Sequence, residues 1–146
     1  IYPKLGESPL AFFGGASLCA ELGDFPQCLN DAPLLLPGGH SAIRGHIDRW
    51  LSDLRLVPRR MGEFDDGALM KAFGQAGAGF FPGPAVLRDE ICTRYNTRCI
   101  GVVNEIHEGF WAITAERRVV HPAIMTVMES ARSALFPSIT QPVPTT

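Results

Sequence analysis

Residues 34–54 read LLLPGGHSAIRGHIDRWLSDL, and this stretch decides the fold class. Three leucines form a short apolar run, which is typical of a buried strand, and a Pro-Gly-Gly turn ends the run. An amphipathic helix is predicted directly after the turn. A buried strand that leads through a glycine turn into a helix indicates an α/β domain.

The predicted helix runs from Ser41 to Leu54. Its apolar residues fall on one stripe, namely Ile43, Ile47, Trp50, Leu51 and Leu54. Arg44 and the other polar residues are assigned to the remaining faces. Ser41 stands where its side chain can cap the first turn, a contribution of about 1 kcal/mol.

Strand-like and helix-like segments alternate on both sides of this unit. Strands are predicted over residues 8–16, 56–64, 79–81, 98–106 and 109–115, and helices over 17–22, 65–73, 84–95 and 121–135. The helix after Asp65 is expected to bury Leu69, Ala72 and Phe73, and His107 is expected in a hairpin turn. This order predicts helices on both faces of a sheet.

The composition excludes several classes of protein. Thirteen Lys and Arg against fifteen Asp and Glu give a net charge of −2, without the basic surplus typical of a nucleic-acid-binding surface. No apolar run approaches the length of a membrane span. The sequence therefore predicts a domain that contacts neither DNA nor a membrane by itself.

The chemistry-bearing residues show no catalytic pattern. Four cysteines at 19, 28, 92 and 99 match no zinc or disulfide spacing, so free thiols in a cytoplasmic protein are predicted. The chain contains no nucleophile elbow and no recognisable Cys/His pair, and the four histidines lack metal-ligand spacing. These absences predict a protein that is not an enzyme and has no resident cofactor.

Two loops at helix starts are candidate ligand sites. Gly38, Gly39, His40 and Ser41 form a strand-to-helix turn whose backbone N–H groups and helix N-terminus favour an anion. The alternative is an ordinary glycine turn with a capped helix.

The second loop places three carboxylates, Glu63, Asp65 and Asp66, within four residues. Helix capping accounts for one or two of them. A third carboxylate raises the local repulsion, which a small cation such as sodium would relieve. Capping alone and a cation site both remain open.

Several longer stretches resemble one family in a constant order. They are LGES (5–8), FPQCL (25–29), LLLPG (34–38), GEFDDGALMKAFG (62–74), AERRVVHPA (115–123) and SALF (133–136). Together they resemble LysR-type transcriptional regulators, in particular the branch that activates sodium/proton antiporter genes. The resemblance implies a sensor that responds to a small effector, to sodium or to alkaline pH.

The resemblance also implies a domain organisation. Residues 1–136 would form part of an effector-binding domain similar to periplasmic binding proteins: subdomain II over about 16–113, then a return crossover and the C-terminal helix of subdomain I over 114–136. Residues 137–146 are expected to be a disordered tail. The DNA-binding winged helix is absent from this chain. Phe81 and Pro82 would lie on the wall of the effector cleft.

The last predicted helix carries an apolar stripe formed by Ile124, Val127, Met128, Ala131 and Leu135. Because soluble monomers rarely expose such a stripe, we expect another chain or another part of this chain to cover it, consistent with the homodimers and tetramers of the family.

The alternative to a LysR-type sensor is a fragment of an extracytoplasmic solute-binding protein, which a secretory signal upstream would support.

Overall fold

A computed structural model describes residues 4–111 and 122–136, without the side chains of residues 122–125 and 128. The elements are β1 (Lys4–Gly15), α1 (Ala16–Cys19), β2 (Pro33–Pro37), α2 (Ala42–Asp53), β3 (Arg59–Phe64), α3 (Gly67–Gln75), β4 (Phe81–Pro84), α4 (Arg88–Tyr95), β5 (Thr97–Trp111) and α5 (Pro122–Leu135). The expected return crossover and tail lie outside the described residues. Within the described ranges, no helix is long and apolar enough to span a membrane.

The chain divides into two compact units, of which the first comprises Ile1–Ser8 with His107–Thr146 and the second Pro9–Ile106. Both passages between the units fall inside strands, one in β1 and one in β5. In the first unit, the guanidinium of Arg132 donates to the carbonyl oxygen of Lys4 at 3.1 Å. The rings of Phe110 and Phe136 lie 5.7 Å apart in the same unit.

The apolar stripe of α5 is partly described. Val127 is 68% exposed in the single chain and Leu135 is half-buried, while the side chains of Ile124 and Met128 lie outside the described residues. That another surface covers this stripe therefore stays a prediction.

The second unit is built around mixed β-structure. β2 and β3 pair in parallel, β1 and β4 pair antiparallel, and β1 lies between β4 and β5. Two backbone hydrogen bonds link β2 to Phe80, the residue before β4. Leu35 N donates to Phe80 O at 2.7 Å, and Phe80 N donates to Pro33 O at 2.9 Å. β3 forms the outer edge next to β2.

Helices cover both faces of this structure, as the alternating pattern predicts. Leu10 and Phe12 of β1 pack with α2, whereas Ala11 and Phe13 of the same strand pack with α3 and α4. Successive residues of a strand point to opposite faces, so a run of apolar residues supplies both cores. The predicted α/β class is confirmed.

Two predictions about single elements are wrong. The predicted hairpin at His107 does not form, because Thr97–Trp111 is one continuous strand. The polar residues Asn104, Glu105 and His107 are exposed positions of that strand. An exposed strand edge and a turn have similar composition, so the sequence pattern did not separate them.

The inward face of α3 also differs from the prediction. Leu69 is 50% and Phe73 47% exposed, Ala72 is exposed too, and Met70 and Gly74 are the buried residues. The helix approaches β4 through Gly74, where a Cβ would overlap the ring of Phe81. Close packing at a glycine thus determines which face is buried.

Candidate functional site

The parallel pairing of β2 and β3 brings the two predicted ligand loops together. Pro37 lies opposite Phe64 in the register, and Gly38 N donates to Phe64 O at 2.9 Å. The carboxylate of Asp65 then occupies the space that a Cβ on Gly38 would fill. The loop that starts at Gly38 and the loop that contains Asp65 therefore form one continuous site.

The glycine loop leaves the start of α2 accessible. Nothing lies within 4 Å of the position that a Cβ on Gly39 would take, and His40 is exposed. Ser41 N donates to Gly38 O at 3.0 Å, which closes the turn. The Ser41 side chain forms no capping hydrogen bond, so the predicted cap is wrong. In the part of the chain that the structure describes, no side chain caps the first turn of α2, as in helix N-termini that bind anions.

A buried arginine holds this site in place. Arg44 was expected on a polar face, but it is only 7% exposed. Its Nη1 donates to Pro37 O at 2.8 Å, and its Nη2 donates to Glu63 Oε1 at 2.8 Å. Its Nε donates to both carboxylate oxygens of Asp48 at 3.0 and 3.1 Å. The guanidinium joins the ends of β2 and β3 to α2.

Arg44 keeps its positive charge in the folded chain. Burial lowers the pKa of Arg44, but the hydrogen bonds that it donates to Glu63 and Asp48 outweigh that effect, and the pKa lies above its ordinary value. Because these acids and Pro37 O already accept from it, Arg44 positions the loop rather than offering a free cation to an anion. The sequence carried a signal for this role, since Arg44, Ile47 and Leu51 share a helical face.

The three carboxylates of the second loop have different partners. Glu63 pairs with Arg44, Asp65 packs beside Gly38, and Asp66 caps α3 by accepting from Ala68 N at 2.9 Å and from Leu69 N at 3.4 Å. Among the described residues, no three His, Cys, Asp or Glu side chains form a group that could hold a metal ion. Helix capping, one of the two roles predicted for this loop, therefore accounts for Asp66.

Phe81 and Pro82 lie in the interior. Both belong to β4, opposite Phe13 and Phe12 of β1. The ring of Phe81 is fully buried and stacks on Phe13 with centroids 5.6 Å apart. Phe81 therefore stabilises the core, and its ring is not available to an effector in this unit.

The cysteines are free thiols, as predicted. Burial raises the pKa values of Cys19, Cys28 and Cys92, so less thiolate is present at neutral pH than in an exposed cysteine.

Replacing Asp66 by alanine is expected to lower the free energy of unfolding by about 1 kcal/mol, because two N–H groups of α3 lose their acceptor. Ser41→Ala at the start of α2 is the matched control and should change stability by less than about 0.3 kcal/mol, since Ser41 forms no cap. Urea unfolding measures both. Equal losses would contradict the assignment of Asp66 as a cap and Ser41 as a free side chain.

Comparison with known proteins identifies the family and the fold of the chain. Residues 2–135 match the family model described as the LysR substrate binding domain. The transcriptional activator protein NhaR of Escherichia coli K12 is 37% identical over 112 residues, which are 77% of this chain and 37% of NhaR. The chain thus spans little more than a third of that relative's length.

Solved structures share the fold. The effector domain of AmpR from Pseudomonas aeruginosa superposes with a TM-score of 0.67 at 20% identity, over 94% of this chain and 65% of that one. The effector binding domain of QuiR, in complex with shikimate, gives a TM-score of 0.60 at 13% identity, over 90% and 63%. The architecture is that of LysR-type effector domains. Since the family model matches almost the whole chain, this chain belongs to the LysR substrate-binding domain family.

Proposed function

We propose that this chain is the ligand-sensing part of a LysR-type transcriptional regulator, and that its effector binds where α2 begins. The family match over residues 2–135 carries the sensing role, and the open space at Gly39 supports the position of the effector. DNA contact belongs to a segment outside this chain, the protein acts in the cytoplasm as a homodimer or tetramer, and it catalyses no reaction. A fragment of an extracytoplasmic solute-binding protein is not favoured, since the curated relative is a transcriptional activator.

The geometry of the Gly38–Ser41 loop supports an anionic group on the effector. Backbone N–H groups at the start of a helix of twelve residues carry a partial positive charge, and Ser41 does not neutralise it. The open space at Gly39 allows a ligand to approach the backbone. The exposed imidazole of His40 adds a donor at the rim.

The carboxylate of Asp65 sets a second chemical requirement for the effector, namely a hydrogen-bond donor. It lies beside Gly38 and would repel a ligand that carried only negative charge. A hydroxyl or N–H group on the effector would donate to it. The effector is therefore a small anion that also carries hydrogen-bond donors. QuiR, a protein of the same fold, holds shikimate in its effector binding domain.

A sodium ion is the weaker candidate. Glu63 pairs with Arg44, and Asp66 accepts from two N–H groups of α3, which leaves Asp65 as the carboxylate with the fewest described partners. One carboxylate is a poor set of ligands for a cation that prefers several oxygens. A response to sodium or to alkaline pH, expected from the family branch, stays a prediction.

Amide NMR on the ¹⁵N-labelled chain tests the anion site against the cation site. Potassium phosphate, compared with potassium chloride at equal ionic strength, should shift the amides of Gly38, Gly39 and Ala42, because phosphate brings both negative charge and hydroxyl donors. Sodium chloride, compared with choline chloride, should leave the amides of Asp65 and Asp66 unchanged.

Gly39→Asp should weaken phosphate binding at least about tenfold, because it adds a negative charge at the helix start, where space is open. Gly45→Asp, inside α2, is the matched control at another position with open space. Phosphate shifts that persist in Gly39→Asp, or that spread evenly over the surface, would rule out this site. Shifts at Asp65 and Asp66 with sodium alone would favour the cation instead.

A further inference from the structure

A groove of about 700 Å³ lies in the second unit, between α2, β5 and the segment around Phe25. Its lining includes none of residues 37–41 or 63–66, so it is separate from the effector loop. The volume falls within the range of ligand pockets, about 300–1,000 Å³.

Aromatic and aliphatic side chains form the apolar part of the groove. Trp50 and Phe25 are half-buried, and Ile106 is buried. The ring of Trp50 stacks on Phe12 with centroids 5.8 Å apart and on Phe25 with centroids 6.0 Å apart. These contacts fix the aromatic surface in place before a ligand arrives, which lowers the entropy lost on binding.

The lining also includes charged residues of both signs, beside the polar residues Gln27 and His46. Arg49 and Asp53 lie one turn apart on α2, and Glu105 lies on β5. All three are exposed. Within residues 4–111 and 122–136, none of these three side chains forms a hydrogen bond or an ion pair. A guanidinium and two carboxylates beside an aromatic surface therefore remain available to a ligand.

From this arrangement we infer that the groove binds a small aromatic zwitterion, in which a ring is joined to a carboxylate and an ammonium group. The ring lies against Trp50 and Phe25, the carboxylate pairs with Arg49, and the ammonium pairs with Asp53 and Glu105. A ligand with two negative charges would be repelled by the two acids. A purely apolar ligand would leave three charges partly desolvated and unpaired.

Isothermal titration of the whole chain with three probes tests this inference. L-Phenylalanine carries the ring and both charges, 3-phenylpropionate lacks the ammonium, and phenethylamine lacks the carboxylate. L-Phenylalanine should bind one site with a dissociation constant of about 1 mM or lower, as expected for a ligand of its size. Each singly charged probe should bind about tenfold more weakly.

Variants connect the affinity to the groove. Arg49→Gln should weaken L-phenylalanine about tenfold without weakening phenethylamine, whereas Glu105→Gln should weaken L-phenylalanine without weakening 3-phenylpropionate. Arg94→Gln on α4 is the matched control, because Arg94 is exposed and does not line the groove. All three variants replace exposed side chains and should keep the melting temperature. Absence of binding by L-phenylalanine, equal affinity for the three probes, or equal effects of Arg49→Gln and Arg94→Gln would overturn the inference.

Discussion

Replacing Arg44 by alanine is expected to lower the free energy of unfolding by about 2–4 kcal/mol. The change removes hydrogen bonds to Glu63, to Asp48 and to Pro37 O, and it leaves that backbone oxygen without the donor it has now. The side chain itself is 8% exposed, so lost packing adds to the effect. The two acids moderate the loss, because Asp48 is 37% and Glu63 57% exposed and water can solvate them again.

Two further variants show which property of Arg44 matters. Arg60→Ala is the control, since Arg60 is 53% exposed and reaches the same Asp48 at 3.5 Å. It should lower stability by less than about 0.5 kcal/mol. Arg44→Met keeps most of the apolar volume without the donors and should recover only part of the loss. Urea unfolding compares them, and an Arg44→Ala loss no larger than that of Arg60→Ala would contradict the structural role.

Gly74→Ala is expected to destabilise the chain by about 1–3 kcal/mol, although alanine is the better helix former. A Cβ at position 74 would overlap the ring of Phe81. That ring is fully buried and stacked on Phe13, so it has no space into which to move. The steric overlap therefore exceeds the gain in helix propensity.

Gly45→Ala in α2 provides the opposite result as a control. Nothing lies within 4 Å of its added Cβ, and only the propensity term remains. This variant should stabilise the chain by about 0.5–1 kcal/mol. Thermal or urea unfolding measures whether each variant is more or less stable than the original chain. If both variants changed stability in the same direction, the packing described for α3 would be contradicted.

Local patterns in the sequence predicted much of the fold. The leucine run and the amphipathic stripe gave β2 and α2 to within one residue at most ends. The carboxylates at 65 and 66 gave the start of α3 to within two residues, and Asp66 is its cap. These features depend on a few neighbouring residues, whose periodicity is visible in the sequence. The α/β class follows from them.

The features that the sequence did not predict depend on distant partners. Arg44 is buried because Glu63 and Pro37 O, on two different strands, accept its hydrogens. The inward face of α3 depends on the fit of Gly74 to Phe81 of β4. The pairing of β2 with β3 is what places Asp65 beside Gly38. Helical spacing placed Arg44 on the face of Ile47 and Leu51, but composition and spacing do not identify the distant partners of these residues.

The position of β3 has a consequence for how the protein behaves at high concentration. As an edge strand it presents backbone groups that another extended chain could bind, and Met61 is 56% exposed on it. Unprotected edges of this kind lead to open-ended aggregation. Arg59 and Arg60 place two positive charges at the start of the strand, and both are exposed. An approaching copy would have to desolvate these two guanidinium groups and their partners Asp31 and Asp48, so the start of β3 disfavours edge-to-edge pairing.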